Sequence, residues 1–267
     1  MRFLAGTVLV LWFGSLLPAQ QSTEKRTYAI EWRLIRAGTM TLEYGKTHAT
    51  MRLESSGIVA SLFKVEDTYD IDYQDPYCAM SSVFNAKEGK RQRQTHVTYD
   101  RSRNRAFYVE RDLLKNKVLI EDSVDIPNCA SDVLGTLIKL RGINIEPGQS
   151  TELPMSDGRR AANVKIKAQE REEVKTPSGN YQTMRYEADL MNGVVYTRKG
   201  RVELWLTGDE RKLAVQIRIR MSFPVGTVTL QLEKMEQGGK PLASAEASKP
   251  IGLSEASKSI GSSEASK

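Results

Sequence analysis

Apolar and polar residues alternate with a period of two through most of the chain, the pattern of strands that bury one face. Tyr28, Ile30, Trp32 and Leu34 alternate with Ala29, Glu31 and Arg33. Met40, Leu42 and Tyr44 alternate with Thr39, Thr41 and Glu43, and Ala37-Gly38 is expected beside the turn between the two runs. Val65, Tyr69, Ile71 and Tyr73 share one face of the next run, and Glu66, Thr68, Asp70 and Asp72 share the other. Further strands are predicted over 97–99, 106–110, 118–123, 162–170, 181–188, 200–206, 213–223 and 226–234. In 213–223, Val215, Ile217, Ile219, Met221 and Phe223 form an apolar face opposite Gln216, Arg218 and Arg220, and Pro224-Val225-Gly226 is the break that follows.

One segment departs from this period. Ser131 is placed to cap a helix, Asp132 complements the dipole, and Lys139 and Arg141 occupy the last turn before Gly142. Val133, Leu134, Leu137, Ile138 and Leu140 cover more than one face of this helix near 131–141. A short helix that is apolar nearly all round is a buried one. The expected fold is therefore mainly β: a strongly curved antiparallel sheet, a half-barrel or open barrel, wrapped around one central α-helix. The sheet halves are expected at roughly residues 27–125 and 148–237.

The two ends of the chain have a different character. Met1-Arg2 precedes an apolar run over residues 3–17, and Leu17-Pro18-Ala19 offers a small residue for cleavage. This order predicts a signal peptide over 1–19, cut between Ala19 and Gln20. The run is shorter than the roughly 20 apolar residues a bilayer span needs. No cysteine follows it, so lipid attachment by that route is excluded. From Ser244 the chain reads SAEASKPIG, LSEASKSIG, SSEASK, a degenerate repeat without apolar bulk. Residues 239–267 are accordingly expected to be disordered, leaving one β-rich domain over 23–238.

With 27% charged and 40% hydrophobic residues, the composition is that of a globular protein. The net charge of +6 fits loose attraction to anionic envelope surfaces and is too weak to indicate nucleic acid. Export puts Cys78 and Cys129 in an oxidising compartment, where two cysteines usually pair; two buried free thiols are the alternative.

Candidate chemistry is sparse. His48 and His96 have no His or Cys partner at metal-ligand spacing, and no G-x-S-x-G nucleophile elbow is present. Glu66, Asp70 and Asp72 form a carboxylate stripe suited to Ca²⁺ or acid–base work, or simply to pairing with Lys87, Lys90, Arg91 and Arg93 across strands. Asp67 falls on the apolar face beside Val65 and Tyr69, which calls for a partner, a sheet edge or a polar cavity to line; an edge or bulge is expected. Arg101, Arg103 and Arg105 are interrupted by acids and read as an exposed hairpin.

Several segments, in order, resemble an exported bacterial family, domain of unknown function 3108. Tyr28-Ala29-Ile30-Glu31-Trp32 with Ala37-Gly38-Thr39-Met40-Thr41-Leu42 is similar to its opening. Asp132-Val133-Leu134 running through Leu140-Arg141 to Pro147-Gly148, and then Thr176-Pro177-Ser178-Gly179, resemble its middle. Residues 205–213 and 226–230 are similar to its closing strands. The resemblance implies an envelope protein with no established activity, no catalytic residues and no cofactor to carry over. The expected function is a non-catalytic binding module for a lipid or other apolar ligand in the periplasm. The alternative is a structural or interaction protein of the envelope with a closed core, whose partner is another envelope protein.

Overall fold

The computed structural model of the chain describes residues 23–74 and 76–241. The expected signal segment with its Ala19–Gln20 junction, and residues 242–267 of the expected tail, lie outside the described residues. Residues 240–241 of that tail pair with residues 236–237 instead of being disordered. The first half contains β1 (Glu24–Trp32), β2 (Ile35–Tyr44), β3 (His48–Ser55), α1 (Gly57–Leu62), β4 (Glu66–Gln74), β5 (Cys78–Glu88), β6 (Arg91–Asp100), β7 (Arg105–Asp112) and β8 (Lys117–Asp125). After α2 (Val133–Arg141) come β9 (Ser150–Ser156), β10 (Ala161–Thr176), β11 (Gly179–Ala188), β12 (Gly200–Thr207), β13 (Ala214–Met221), β14 (Thr227–Gln237) and the two-residue β15 (Lys240–Pro241).

The strands form one open antiparallel sheet in the order β8-β7-β6-β5-β4-β3-β2-β1-β14-β13-β12-β11-β10-β9, with β15 on β14. The two sequence halves join where β1 meets β14, Tyr28 opposite Leu232 and Ile30 opposite Leu230. Register shifts at Thr27/Tyr28, Ile30/Glu31, Asp72/Tyr73, Glu110/Arg111, Ala168/Arg171 and Trp205/Leu206 add local bends.

Two predicted core positions belong to turns instead. Leu34 does not continue β1. It forms a two-residue turn with Arg33, both at positive φ (68° and 51°), and is 94% exposed. Positive φ at both turn residues suits the right-handed twist of the flanking strands. Ala37-Gly38 lies inside β2, and a Cβ on Gly38 would sit 2.2 Å from the Glu54 carbonyl oxygen, so only glycine lets β3 come this close. Phe223, predicted on the apolar face of β13, stands past the end of that strand and is 88% exposed.

Helix α2 starts one residue later than expected at its cap. Asp132, not Ser131, accepts hydrogen bonds from the Leu134 and Gly135 amides, at 3.2 and 2.8 Å. The Ser131 hydroxyl instead donates to the Tyr77 carbonyl. Leu134, Leu137, Ile138 and Leu140 are buried, but Val133 is 40% exposed, which corrects its assignment to the core. Leu134 and Ile138 belong to an apolar cluster built largely from β1–β7, and Leu137 and Leu140 to one built largely from β9–β13.

Polar contacts fix both ends of the helix. Tyr73 of β4 donates to Asp132 at 2.7 Å. At the other end Arg141 donates to the Tyr44 hydroxyl and to the Arg211 carbonyl, and lies 3.5 Å from Glu24. Burial pushes the Glu24 carboxyl up, but Arg26 and Arg141 outweigh it and hold it below its ordinary value. Cys78 and Cys129 are joined in a disulfide, tying the start of β5 to the loop before α2, and Lys139 donates to the Cys129 carbonyl.

Candidate ligand-binding cavity

A cavity of about 520 Å³ lies between the first half of α2 and the strands of the second half of the chain. Val133, Leu134, Thr136 and Leu137 form the helical wall. Met155, Val164, Ile166, Val202, Leu204 and Ile219 come from β9, β10, β12 and β13, because alternate residues of each strand point to this side. Met40 and Met51 reach in from β2 and β3. Leu190, Met191, Tyr196, Thr197 and Arg198 come from the loop at 189–199.

The lining is almost wholly apolar, and five methionines contribute to it: Met40, Met51, Met155, Met191 and Met221. Methionine side chains are flexible and polarizable, so such walls adapt to the shape of an apolar guest. Val133, Thr197 and Arg198 are the exposed lining residues and mark the mouth. Val133 is therefore exposed because it faces this opening. Thr136 is the polar exception in the wall: it is buried, and its hydroxyl has no hydrogen-bond partner among the described residues. A buried, unpaired hydroxyl is costly and marks a place where a partner can be accommodated.

A second chamber of about 300 Å³ shares Met51, Val133, Leu134 and Tyr196 with the first. Its walls are more polar, with Tyr69, Ser82, Tyr108, Asp132, Ser156 and Asp157. Burial pushes the Asp132 carboxyl up, against the opposing hydrogen bonds from Tyr73, Gly135 and Leu134. The Tyr196 hydroxyl is also pushed up by burial.

The other sequence candidates lie elsewhere. Glu66 pairs with Lys64 at 2.6 Å, and Asp72 accepts from Ser81 at 3.2 Å and contacts His48 Nδ1 at 2.8 Å. Asp70 is half-buried on the same strand. Among the described residues no group of three or more His, Cys, Asp or Glu is placed to hold a metal ion. In the Ser81–Asp72–His48 group the carboxylate is central and the serine donates to it, so no imidazole nitrogen is in position to take the serine proton. His96 is exposed on β6.

Asp67 corrects the expectation of an edge or bulge. Strand β4 has neighbours on both sides, and its register shift against β5 lies away at Asp72/Tyr73. The Asp67 carboxylate is satisfied by the Lys87 amide at 3.0 Å, although burial still pushes its pKa up. The basic run is a turn between β6 and β7, with Arg103 beside Asp100 and Arg105 on Ser123.

The family model described as a protein of unknown function (DUF3108) matches residues 27–233. The chain belongs to this family. No curated protein matches it. Among solved structures it is similar to a β-barrel-like protein of domain of unknown function DUF1849 from Brucella abortus. That likeness has 9% identity and a TM-score of 0.53, covering 82% of this chain and 99% of the other. A second similar structure is a candidate lipoprotein from Parabacteroides distasonis, at 7% identity and a TM-score of 0.28, covering 82% and 96%. The first likeness supports a β-barrel-like fold for the DUF3108 chain, and the second carries no argument. The family match runs from β1 into β14 and so contains all the cavity-lining residues.

Proposed function

We propose that this DUF3108 protein is a non-catalytic, exported envelope protein that binds a lipid or other apolar molecule between its helix and its sheet. The observation that carries the reading is the Met-lined cavity beside α2. Its volume falls in the range of about 300–1,000 Å³ found for small-molecule sites. In this reading the open sheet curls around α2. The division of the helix's buried residues between two apolar clusters supports that arrangement, as do its contacts with β2 and β4. The apolar part of the ligand occupies the larger chamber, and a polar atom of the ligand meets Thr136.

A core serving structure alone gains nothing from such a space, since unfilled apolar volume forfeits packing contacts. The apolar run at residues 3–17 and the Cys78–Cys129 disulfide both support an oxidising location outside the cytoplasm.

The test is native mass spectrometry of protein recovered from its host, together with titration of a fluorescent fatty acid. A co-purifying apolar species or saturable uptake is expected. Substituting Val202→Trp, which fills the chamber, should abolish both while the protein remains folded by circular dichroism. A protein that carries nothing and takes up nothing, or one whose uptake ignores the tryptophan, refutes the proposal.

A further inference from the structure

The sheet has two ends, and they differ. Because its neighbouring strands are antiparallel, successive turns alternate between the ends. One end carries the turns at 33–34, 56–65, 89–90, 113–116, 157–160, 189–199 and 222–226. Exposed large apolar side chains gather there: Leu34 (94%), Leu62 (80%), Phe223 (88%), Ile58, Phe63 and Leu114. Among the described residues, none of the exposed large apolar side chains lies in a turn at the opposite end.

Several of these turns are fastened to one another. Trp32 donates from its indole to the Val225 carbonyl at 2.6 Å, and the Arg33 guanidinium donates to the Pro224 carbonyl. The Ser222 amide reaches the Lys199 carbonyl at 3.4 Å. The Gly89 amide donates to the Lys64 carbonyl at 2.7 Å, and Phe63 packs against Gly89. Leu34 and Phe223 thus flank one hydrogen-bonded pair of turns, joined directly to the loop that carries the cavity mouth at Thr197 and Arg198.

Charge separates the ends as well. Lys64, Lys90, Lys115, Arg160, Arg198 and Lys199 lie in the turns of the apolar end, where the acids are Asp157 and Asp189. At the opposite end, turn cations such as Lys46 and Arg103 are matched by acids such as Glu146, Asp209 and Glu210.

We infer that this end of the sheet is a docking surface for an anionic membrane, with Leu34, Leu62 and Phe223 entering the headgroup–acyl boundary while the surrounding cations meet anionic headgroups. Exposed apolar side chains rimmed by Lys and Arg are the chemistry of interfacial binding, whose strength adds apolar burial to electrostatic attraction. Docking this way faces the cavity mouth toward the bilayer. The inference goes beyond the proposed ligand site: it stands on the surface alone, and its readout requires nothing in the cavity.

The experiment is co-flotation of the protein, with the N terminus its host leaves on it, with vesicles of phosphatidylethanolamine and phosphatidylglycerol. Phosphatidylcholine vesicles serve for comparison. The wild-type chain should float with the anionic vesicles, at least tenfold more weakly with phosphatidylcholine, and less at high salt. The triple variant L34S/L62S/F223S carries the same N terminus and should lose binding at least tenfold. Its urea midpoint should be unchanged, since all three side chains are exposed. The variant M80S/F107S removes exposed apolar groups nearer the other end and should bind as the wild type does. No flotation with either vesicle overturns the inference. So does equal flotation of the triple variant, or a surface that cross-links to an envelope protein in cells but ignores vesicles. Fatty-acid uptake persisting in the triple variant leaves the ligand proposal standing whatever the vesicles show.

Discussion

Replacing Asp132 tests how α2 is held in place. In Asp132→Ala, three donors lose their acceptor at once: the Leu134 and Gly135 amides and the Tyr73 hydroxyl. Loss of an N-cap costs about 1 kcal/mol. Stranding a buried hydroxyl costs about 1–3 kcal/mol. Against this, burial raises the Asp132 pKa, so removing the charge returns part of its desolvation cost. The net expectation is a loss of about 2–3 kcal/mol. Asp132→Asn keeps a capping oxygen and loses the charge, and should cost less than about 1 kcal/mol. Urea unfolding of the disulfide-intact protein, followed by the fluorescence of Trp32 and Trp205, measures both.

The same pair of proteins gives a pH signature. A carboxyl whose folded pKa is raised binds its proton more readily in the native state. Wild-type stability relative to Asp132→Asn should therefore rise as pH falls through the raised folded value, and level off below the ordinary 3.8. Glu24, whose pKa is lowered, acts in the opposite sense and is lost as pH falls, so only the difference between the two proteins isolates Asp132. An alanine variant within about 0.5 kcal/mol of wild type would refute the capping argument, for that loss falls at the bottom of the cap range. An asparagine variant as unstable as alanine would show that charge, not hydrogen-bond acceptance, holds the helix.

Other outcomes follow from neighbouring features. Gly135→Ala should destabilise despite alanine's helix preference of about 1 kcal/mol, because its Cβ would meet Tyr73 at 2.9 Å and Asp132 and Ser131 at 3.1 Å; a raised urea midpoint would contradict this. Replacing Cys78 and Cys129 together by serine should cost about 4 kcal/mol for a closed loop of this length, read from the same unfolding curves. Thr136→Val should raise the unfolding free energy of the ligand-free protein by about 1 kcal/mol, since it removes an unpaired buried hydroxyl. It should also weaken any ligand that hydrogen-bonds there, which calorimetry would detect.

Strands that separate core from water were legible in the sequence, and those that do not were missed. In β1, β2 and β4 the residues of one face are more deeply buried than those of the other, so alternation reveals them. Strand β9 shows no clear alternation because Pro154 interrupts it, and a proline is tolerated there since β9 is the last strand of the sheet. Strands β3 and β5 mix half-buried polar and apolar residues on both faces and give no clean period. Alternation alone does not tell where a strand stops, so it places Leu34 and Phe223 on apolar faces although turns carry them outside the core. The helix was recognisable from its caps and apolar content. The cavity was not. Its wall needs the 189–199 loop, whose Met191, Tyr196 and Arg198 follow no period, and it needs strands from both halves brought together in space.

The pairing of β1 with β14 joins residues 24–32 to residues 228–237. Hairpins β1 to β8 can zip up locally, one after another, but the outer flank of β1 has no mate until almost the whole polypeptide has emerged. Through that interval its unpaired amides and carbonyls offer a template to any extended segment nearby. Chains cut short before residue 227 would keep that flank open permanently and should aggregate instead of yielding a stable half-molecule.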